Sequence, residues 1–121
     1  MTASAEPIRV LLVEDSEVYR DSLMFLLGTR SDVDVVAAVG DGDSAIRASS
    51  EHDPDVVVLD FRLPDVDGAT VASELRSPVV FLSASAGRDE YDAASSAGAA
   101  LVRKDEGIDA LLVAIRAAAG R

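Results

Sequence analysis

Asp60 follows four apolar residues, Val56-Val57-Val58-Leu59, and a carboxylate in that setting is costly to desolvate unless it has a role. Other polar groups end apolar runs in the same way: Glu14-Asp15 after Ile8 to Val13, Ser83 after Val79 to Leu82, and Arg103-Lys104 after Ala99 to Val102. Three carboxylates crowded together repel, so at least one would take up a proton unless a cation is bound. Hard oxygen ligands with no His or Cys among them suit Mg²⁺, which keeps several waters and takes one or two carboxylates plus a phosphoryl oxygen. Three acids, one lysine and one Mg²⁺ leave such a pocket formally neutral. A phosphoryl group on Asp60 would add charge, and the Lys104 ammonium and the Ser83 hydroxyl are the donors at hand. A carboxylate can serve as the nucleophile of phosphoryl transfer, which relies mainly on positioning and charge neutralisation.

These residues converge only if the elements that carry them do. Ile8 to Val13 has the composition of a strand buried on both faces, and runs of the same type recur at Val33 to Val39, Val56 to Leu59, Val79 to Leu82 and Ala99 to Val102. Between them the pattern predicts helices at about Ser16 to Gly28, Asp43 to Ser50, Asp67 to Arg76, Arg88 to Ala97 and Ile108 to Ala118. The last carries Ile108, Leu111, Leu112 and Ile115 as one apolar stripe, with Gly120 as a stop just beyond it. Five strands alternating with five helices predict a doubly wound α/β fold around a five-stranded parallel sheet. Ligands of such sheets sit outside the carboxyl ends of the strands, where all the residues above lie.

Composition narrows the function classes. The 121 residues hold 22 Asp and Glu against 11 Lys and Arg, for a formal net charge of −11. Phosphate backbones and anionic lipid heads repel such a chain, so direct nucleic-acid or membrane-surface binding is not expected of it. The length fits a single domain spanning 1–121, with its core at about 8–118. There is no cysteine, which removes disulfides, thiolate metal sites and a Cys nucleophile. No apolar run is long enough to span a bilayer, and Met1 to Glu6 lacks the basic and apolar regions of a signal peptide, so the expected location is the cytoplasm. All the basic residues but one are Arg, and the exception is Lys104. A compact ammonium suits a small phosphoryl pocket better than a broad guanidinium fork.

The segment from Val56 to Gly68 resembles the phosphoacceptor signature of the receiver domains of two-component response regulators, with apolar residues before Asp60, Pro64 four residues after it and Gly68 eight after it. Val13-Glu14-Asp15-Ser16 is similar to that family's acidic pair, Leu82-Ser83-Ala84 to its hydroxyl switch followed by a small residue, and Lys104 to its lysine. The resemblance runs from about Ile8 to Ala118. It implies the CheY-like, flavodoxin-like strand order 2-1-3-4-5. It also implies a histidine kinase as partner and phosphoryl transfer to Asp60. Mg²⁺ would be held by Asp15, Asp60 and the backbone carbonyl of Arg62, with Glu14 helping through water, and Ser83 and Lys104 would bind phosphoryl oxygens. On this reading the chain is a switch that assists only its own phosphotransfer and autodephosphorylation. Lys104-Asp105 and Arg62 are similar to the NarL/LuxR branch, whose members carry a C-terminal helix-turn-helix DNA-binding domain, so 1–121 reads as the receiver part of a longer transcription factor. The fourth-helix to fifth-helix region and the first and fifth helices are alternative homodimer contacts.

Two stretches depart from the family pattern. Gly98 to Lys104 is one residue short, with Leu101 where an aromatic is usual, and the loop before the strand is expected to absorb the deletion. Arg76-Ser77-Pro78-Val79 is tight, which predicts a shortened third helix or exit loop. These departures motivate an alternative, a degenerate receiver acting as a phosphorylation-independent interaction module. A small aspartate-dependent phosphohydrolase is disfavoured, because Asp60-Phe61-Arg62 lacks a second Asp to act as general acid. Gly40 to Ala45 mimics a dinucleotide fingerprint, but it follows the second strand and its two Asp would oppose a pyrophosphate. His52 reads as an exposed loop residue at the end of the sheet away from Asp60.

Overall fold

Successive strand residues point to opposite faces of a sheet, and here both faces are covered. The computed structural model describes residues 6–84 and 87–121. Its elements run β1 (Ile8–Val13), α1 (Glu17–Gly28), β2 (Val33–Val39), α2 (Gly42–His52), β3 (Val56–Asp60), α3 (Gly68–Ser73), β4 (Val79–Ser83), α4 (Arg88–Ser96), β5 (Ala100–Arg103), a 3₁₀ turn at Lys104–Glu106 and α5 (Ile108–Ala118). The five strands form one parallel sheet in the order β2-β1-β3-β4-β5, as the family resemblance implies.

One set of alternating side chains, including Val10, Leu12, Val58, Val80 and Leu82, packs under Leu23 and Leu27 of α1 and Leu111, Leu112 and Ile115 of α5. The other set, including Leu11, Val13, Val57, Leu59 and Phe81, meets Ala45 and Ala48 of α2, Val71 of α3 and Ala94 of α4. Small residues on α2 and α4 let the helix backbones approach this face, where Phe81 supplies the bulk and Phe61 stacks edge-on against it at 5.2 Å. Among the described residues, no helix is long and apolar enough to cross a membrane.

The central strands are buried except at the half-buried Arg9 and Val79, but β2 and β5 are edges whose residues are mostly half-buried or exposed. Both faces of each edge strand still meet a core, with Val35 and Ala38 of β2 and Val102 of β5 on one side and Ala37 and Val39 of β2 and Leu101 of β5 on the other, and what each lacks is a second strand neighbour. His52 is the last residue of α2 and half-buried, not a loop residue, because the helix runs on until Asp53 takes the left-handed conformation at φ 45°. The short connection shortens α3 as expected: the helix stops at Ser73, and the Ser77 hydroxyl ties the exit to the Pro54 carbonyl at 2.7 Å. The chain leaves α4 for β5 through a tight turn, where Gly98 adopts φ 69° and the Ala99 N–H reaches back to the Ala94 carbonyl. Leu101 pairs with Phe81 and Val102 with Leu82, and Lys104 follows directly. Gly120, at φ 78°, ends α5.

Candidate functional site

At the carboxyl edge of the sheet, helices α1, α2 and α3 all begin with side-chain caps. The Ser16 hydroxyl accepts from Tyr19 N–H, the Asp41 carboxylate from Ser44 N–H and the Asp67 carboxylate from Thr70 N–H. Each cap stops a helix short of the strand before it, so the loops between them stay open at this edge. Glu14 and Asp15 stand in the β1–α1 loop, Asp60 and Ser83 end β3 and β4, and Lys104 opens the turn after β5.

The side chains predicted from sequence converge around one point. Carboxylate oxygens of Glu14, Asp15 and Asp60 lie within 4.8 Å of one another. Lys104 Nζ sits 2.6 Å from Glu14 Oε1 and 3.2 Å from Asp60 Oδ2. Glu14 is fully buried; its Oε2 accepts the Ser16 N–H at 2.9 Å, and its Oε1 has no polar partner but Lys104 among the described residues. Burial pushes its carboxyl above the ordinary glutamate range, an effect that Lys104 and the Ser16 N–H counter and the charge of Asp60 reinforces. Burial would lower the Lys104 ammonium, but Glu14 and Asp60 outweigh it and hold the lysine above its usual range. Asp60 is itself buried, and its Oδ1 accepts the Arg62 N–H at 3.1 Å. Asp15 is exposed, and among the three acids it is the one open to solvent. An all-carboxylate donor set with one exposed member fits a hard, partly hydrated divalent cation.

Gly68 explains the signature spacing physically. A Cβ on this residue would lie 2.7 Å from the Asp60 carbonyl oxygen, 2.9 Å from Phe61 Cα and 3.0 Å from the Phe61 carbonyl oxygen, all backbone atoms. The Gly68 N–H donates to the Phe61 carbonyl at 2.8 Å, and Arg62 and Asp67 form an antiparallel bridge across the same loop. Only a residue without a side chain lets the chain fold back this closely on Asp60.

The dinucleotide-like stretch is already filled. Gly42 and Asp43 N–H groups donate to the two oxygens of Asp65 at 2.8 and 3.1 Å, and Asp41 takes the Ser44 N–H. Two carboxylates therefore occupy the amino end of α2, where a pyrophosphate would have to bind. The Gly42 N–H above all, with the Asp43 N–H, holds the Asp65 carboxyl below the usual aspartate range.

Ser83 is buried at the end of β4, but its hydroxyl donates to Glu90 Oε2 of α4 at 2.8 Å. Glu90 is also buried; its Oε1 accepts the Gly87 N–H at 3.2 Å, and Arg62 Nε lies 3.8 Å from its Oε2. Sequence reasoning did not find Glu90, since an acid in the first turn of a helix usually complements the dipole in solvent. Its one signal is its place three residues into α4, where a Glu can reach back to the residue before the helix. Tyr19 was also missed: its ring lies 4.7 Å from Lys104 Nζ and forms an aromatic wall beside the ammonium.

Comparisons with known proteins show the family and the fold. Residues 10–116 match the response regulator receiver domain. The chain is 37% identical over 123 residues to the transcriptional regulatory protein PdtaR of Mycobacterium tuberculosis, an alignment covering 98% of this chain and 60% of that protein. It is 34% identical over 109 residues to a protein-glutamate methylesterase/protein-glutamine glutaminase of Nitrosospira multiformis, covering 84% of this chain and 31% of that one. It therefore spans less than two thirds of the length of either relative. Among solved structures, the signal receiver domain of the response regulator NarL from Mycobacterium tuberculosis superposes with a TM-score of 0.83 at 31% identity, covering 97% of this chain and all of that one. A two-component response regulator of the LuxR family from Aurantimonas sp. SI85-9A1 gives a TM-score of 0.88 at 30% identity, covering 96% and 88%.

Proposed function

The chain belongs to the response regulator receiver domain family, and on that premise we propose that it is a phosphoacceptor switch in which Asp60 is phosphorylated by a partner histidine kinase. The observation that carries this reading is the buried Asp60 carboxylate, held between the Lys104 ammonium at 3.2 Å and the Arg62 N–H at 3.1 Å, with Glu14 and Asp15 beside it. A carboxylate oxygen of Asp60 supplies the electron pair that forms the new O–P bond. The P–N bond to the kinase histidine breaks, and the imidazole nitrogen keeps that bond's electron pair. Lys104 stabilises the charge gathering on the phosphoryl oxygens and afterwards stays on the acyl phosphate. The contact with Glu14 and the wall of Tyr19 fix its position beforehand.

Asp15, Asp60 and the backbone carbonyl of Arg62 would hold Mg²⁺, with Glu14, whose two oxygens already face Ser16 N–H and Lys104, acting through water. When bound, the ion supplies positive charge to the transferring oxygens. The likeness to NarL and LuxR-family regulators supports the reading that the domain works beside a C-terminal helix-turn-helix DNA-binding domain in a longer regulator, altering transcription by changing partner affinity.

The test is intact mass after incubation with acetyl phosphate and Mg²⁺. Wild type gains one phosphoryl group and Asp60→Asn gains none. A wild type that gains none at any Mg²⁺ concentration overturns the reading in favour of a phosphorylation-independent interaction module.

A further inference from the structure

Glu90 is a buried acid for which phosphoryl transfer to Asp60 has no use, and it holds the hydroxyl that such a site would need. A serine hydroxyl carries one proton and donates to one acceptor at a time. Here that proton is committed to the Glu90 carboxylate at 2.8 Å, a charge-assisted bond between two buried groups. Ser83 stands on the strand beside Asp60, one position beyond Leu82, the register partner of Asp60. The hydroxyl ends the strand beside the site, and its hydrogen bond goes to Glu90 rather than to Asp60.

Resting on the phosphoacceptor reading above, we propose that Glu90 is a positioning residue that withholds the Ser83 hydroxyl from Asp60 until phosphorylation, and that its release moves the amino end of α4. An aspartyl phosphate presents nearly a full extra negative charge on strong acceptor oxygens and competes for the same proton. Once Ser83 turns to it, Glu90 remains buried with only the Gly87 N–H and the distant Arg62 guanidinium for company. A buried carboxylate that has lost its best donor is costly, and the cost is relieved when the first turn of α4 shifts and lets it reach water. Arg62 joins both ends of this relay, because its N–H binds Asp60 and its guanidinium faces Glu90. The α4 end is suited to yield: Gly87 precedes the helix and offers no side-chain cap. Leu101 is an aliphatic side chain half-buried in the α4-side core, with no hydroxyl to report on the site, so the polar link from the site to α4 runs through Glu90.

The experiment titrates the 121-residue chain with beryllofluoride and Mg²⁺, a phosphoryl mimic, and follows the Gly87 and Glu90 amides by NMR. Four proteins are compared: wild type, Glu90→Gln, Ser83→Ala and the double variant. Replacing the charged acceptor by a neutral one weakens the hold on Ser83, so Glu90→Gln is expected to bind the mimic about tenfold tighter, equivalent to about 1.4 kcal/mol. With Ser83→Ala in place, the same change has no effect, because there is no hydroxyl to withhold. A purely structural Glu90 would act alike in both backgrounds, and that result overturns the proposal, as does unchanged or weaker binding by Glu90→Gln. If Glu90→Gln does not fold, Glu90→Asp, which retracts the carboxylate by one methylene, is read in the same cycle. Wild type that binds the mimic with unaltered Glu90 variants sinks the latch alone. Wild type that takes neither the mimic nor acetyl phosphate sinks the phosphoacceptor reading, and the latch with it.

Discussion

Asp60→Asn is expected to stabilise the metal-free protein, and the geometry gives the size of the effect. At an effective dielectric of about 20, Lys104 at 3.2 Å attracts Asp60 by about 5 kcal/mol, while a carboxylate no farther than 4.8 Å repels it by at least about 3.5 kcal/mol. Glu14 is buried and exerts that repulsion in full, whereas Asp15 is exposed and its share is cut by solvent and salt. Attraction and repulsion therefore come close to cancelling, and the desolvation of a buried carboxylate is left over as a net cost. The upward displacement of Glu14 by the charge of Asp60 is the same conflict seen from the other partner. Asparagine keeps an oxygen for the Arg62 N–H and leaves Lys104 its closer partner, Glu14, so removing the charge should add about 1–2 kcal/mol. By calorimetry in EDTA at low salt and neutral pH, the Tm should rise by roughly 4–8 °C, and the gain should shrink as NaCl is added. Mg²⁺ should then raise the Tm of wild type more than that of the variant, since the ion binds the native acids. An Asp60→Asn protein that melts at or below the wild-type temperature in EDTA would refute the balance of terms drawn here.

Gly68→Ala should lose about 1–3 kcal/mol, because its Cβ meets three backbone atoms that cannot swing aside, and urea unfolding would show a lower midpoint with an unchanged slope. The Asp65 carboxyl sits below the ordinary aspartate range in the folded chain, so its contribution is present above that range and is lost as pH falls through the lower folded value. Asp65→Asn should accordingly flatten the acid limb of stability measured between about pH 5 and pH 2.

The central sheet was legible because β1, β3 and β4 are apolar runs, broken only by Arg9, that close on polar residues, and that closure exposed Glu14, Asp15, Asp60 and Ser83 as a set, with Lys104 added after β5. Apolar content could not tell an edge strand from a central one, so β2 and β5 read like the central strands although each has one strand neighbour. His52 was misread because the end of α2 is set by Asp53 entering a left-handed conformation, a backbone choice with no apolar period to announce it. The direction of the Ser83 hydroxyl was beyond the sequence altogether. It depends on a pair seven residues apart, with a helix whose acid looks, in one dimension, like any other solvated charge.

The bond pair from Asp65 to the amino end of α2 has a mechanical consequence. Toward α2 the β3–α3 loop is fastened by two hydrogen bonds to a carboxylate, at 2.8 and 3.1 Å, whereas its ion-pair contact to Glu90 of α4 is a 3.8 Å approach from a mostly exposed Arg62. The first attachment resists displacement, and the second, screened and long, resists little. Under the proposed switch, strain created at Asp60 would therefore be expected to leave α2 as the anvil and to displace the α4 side of the loop first.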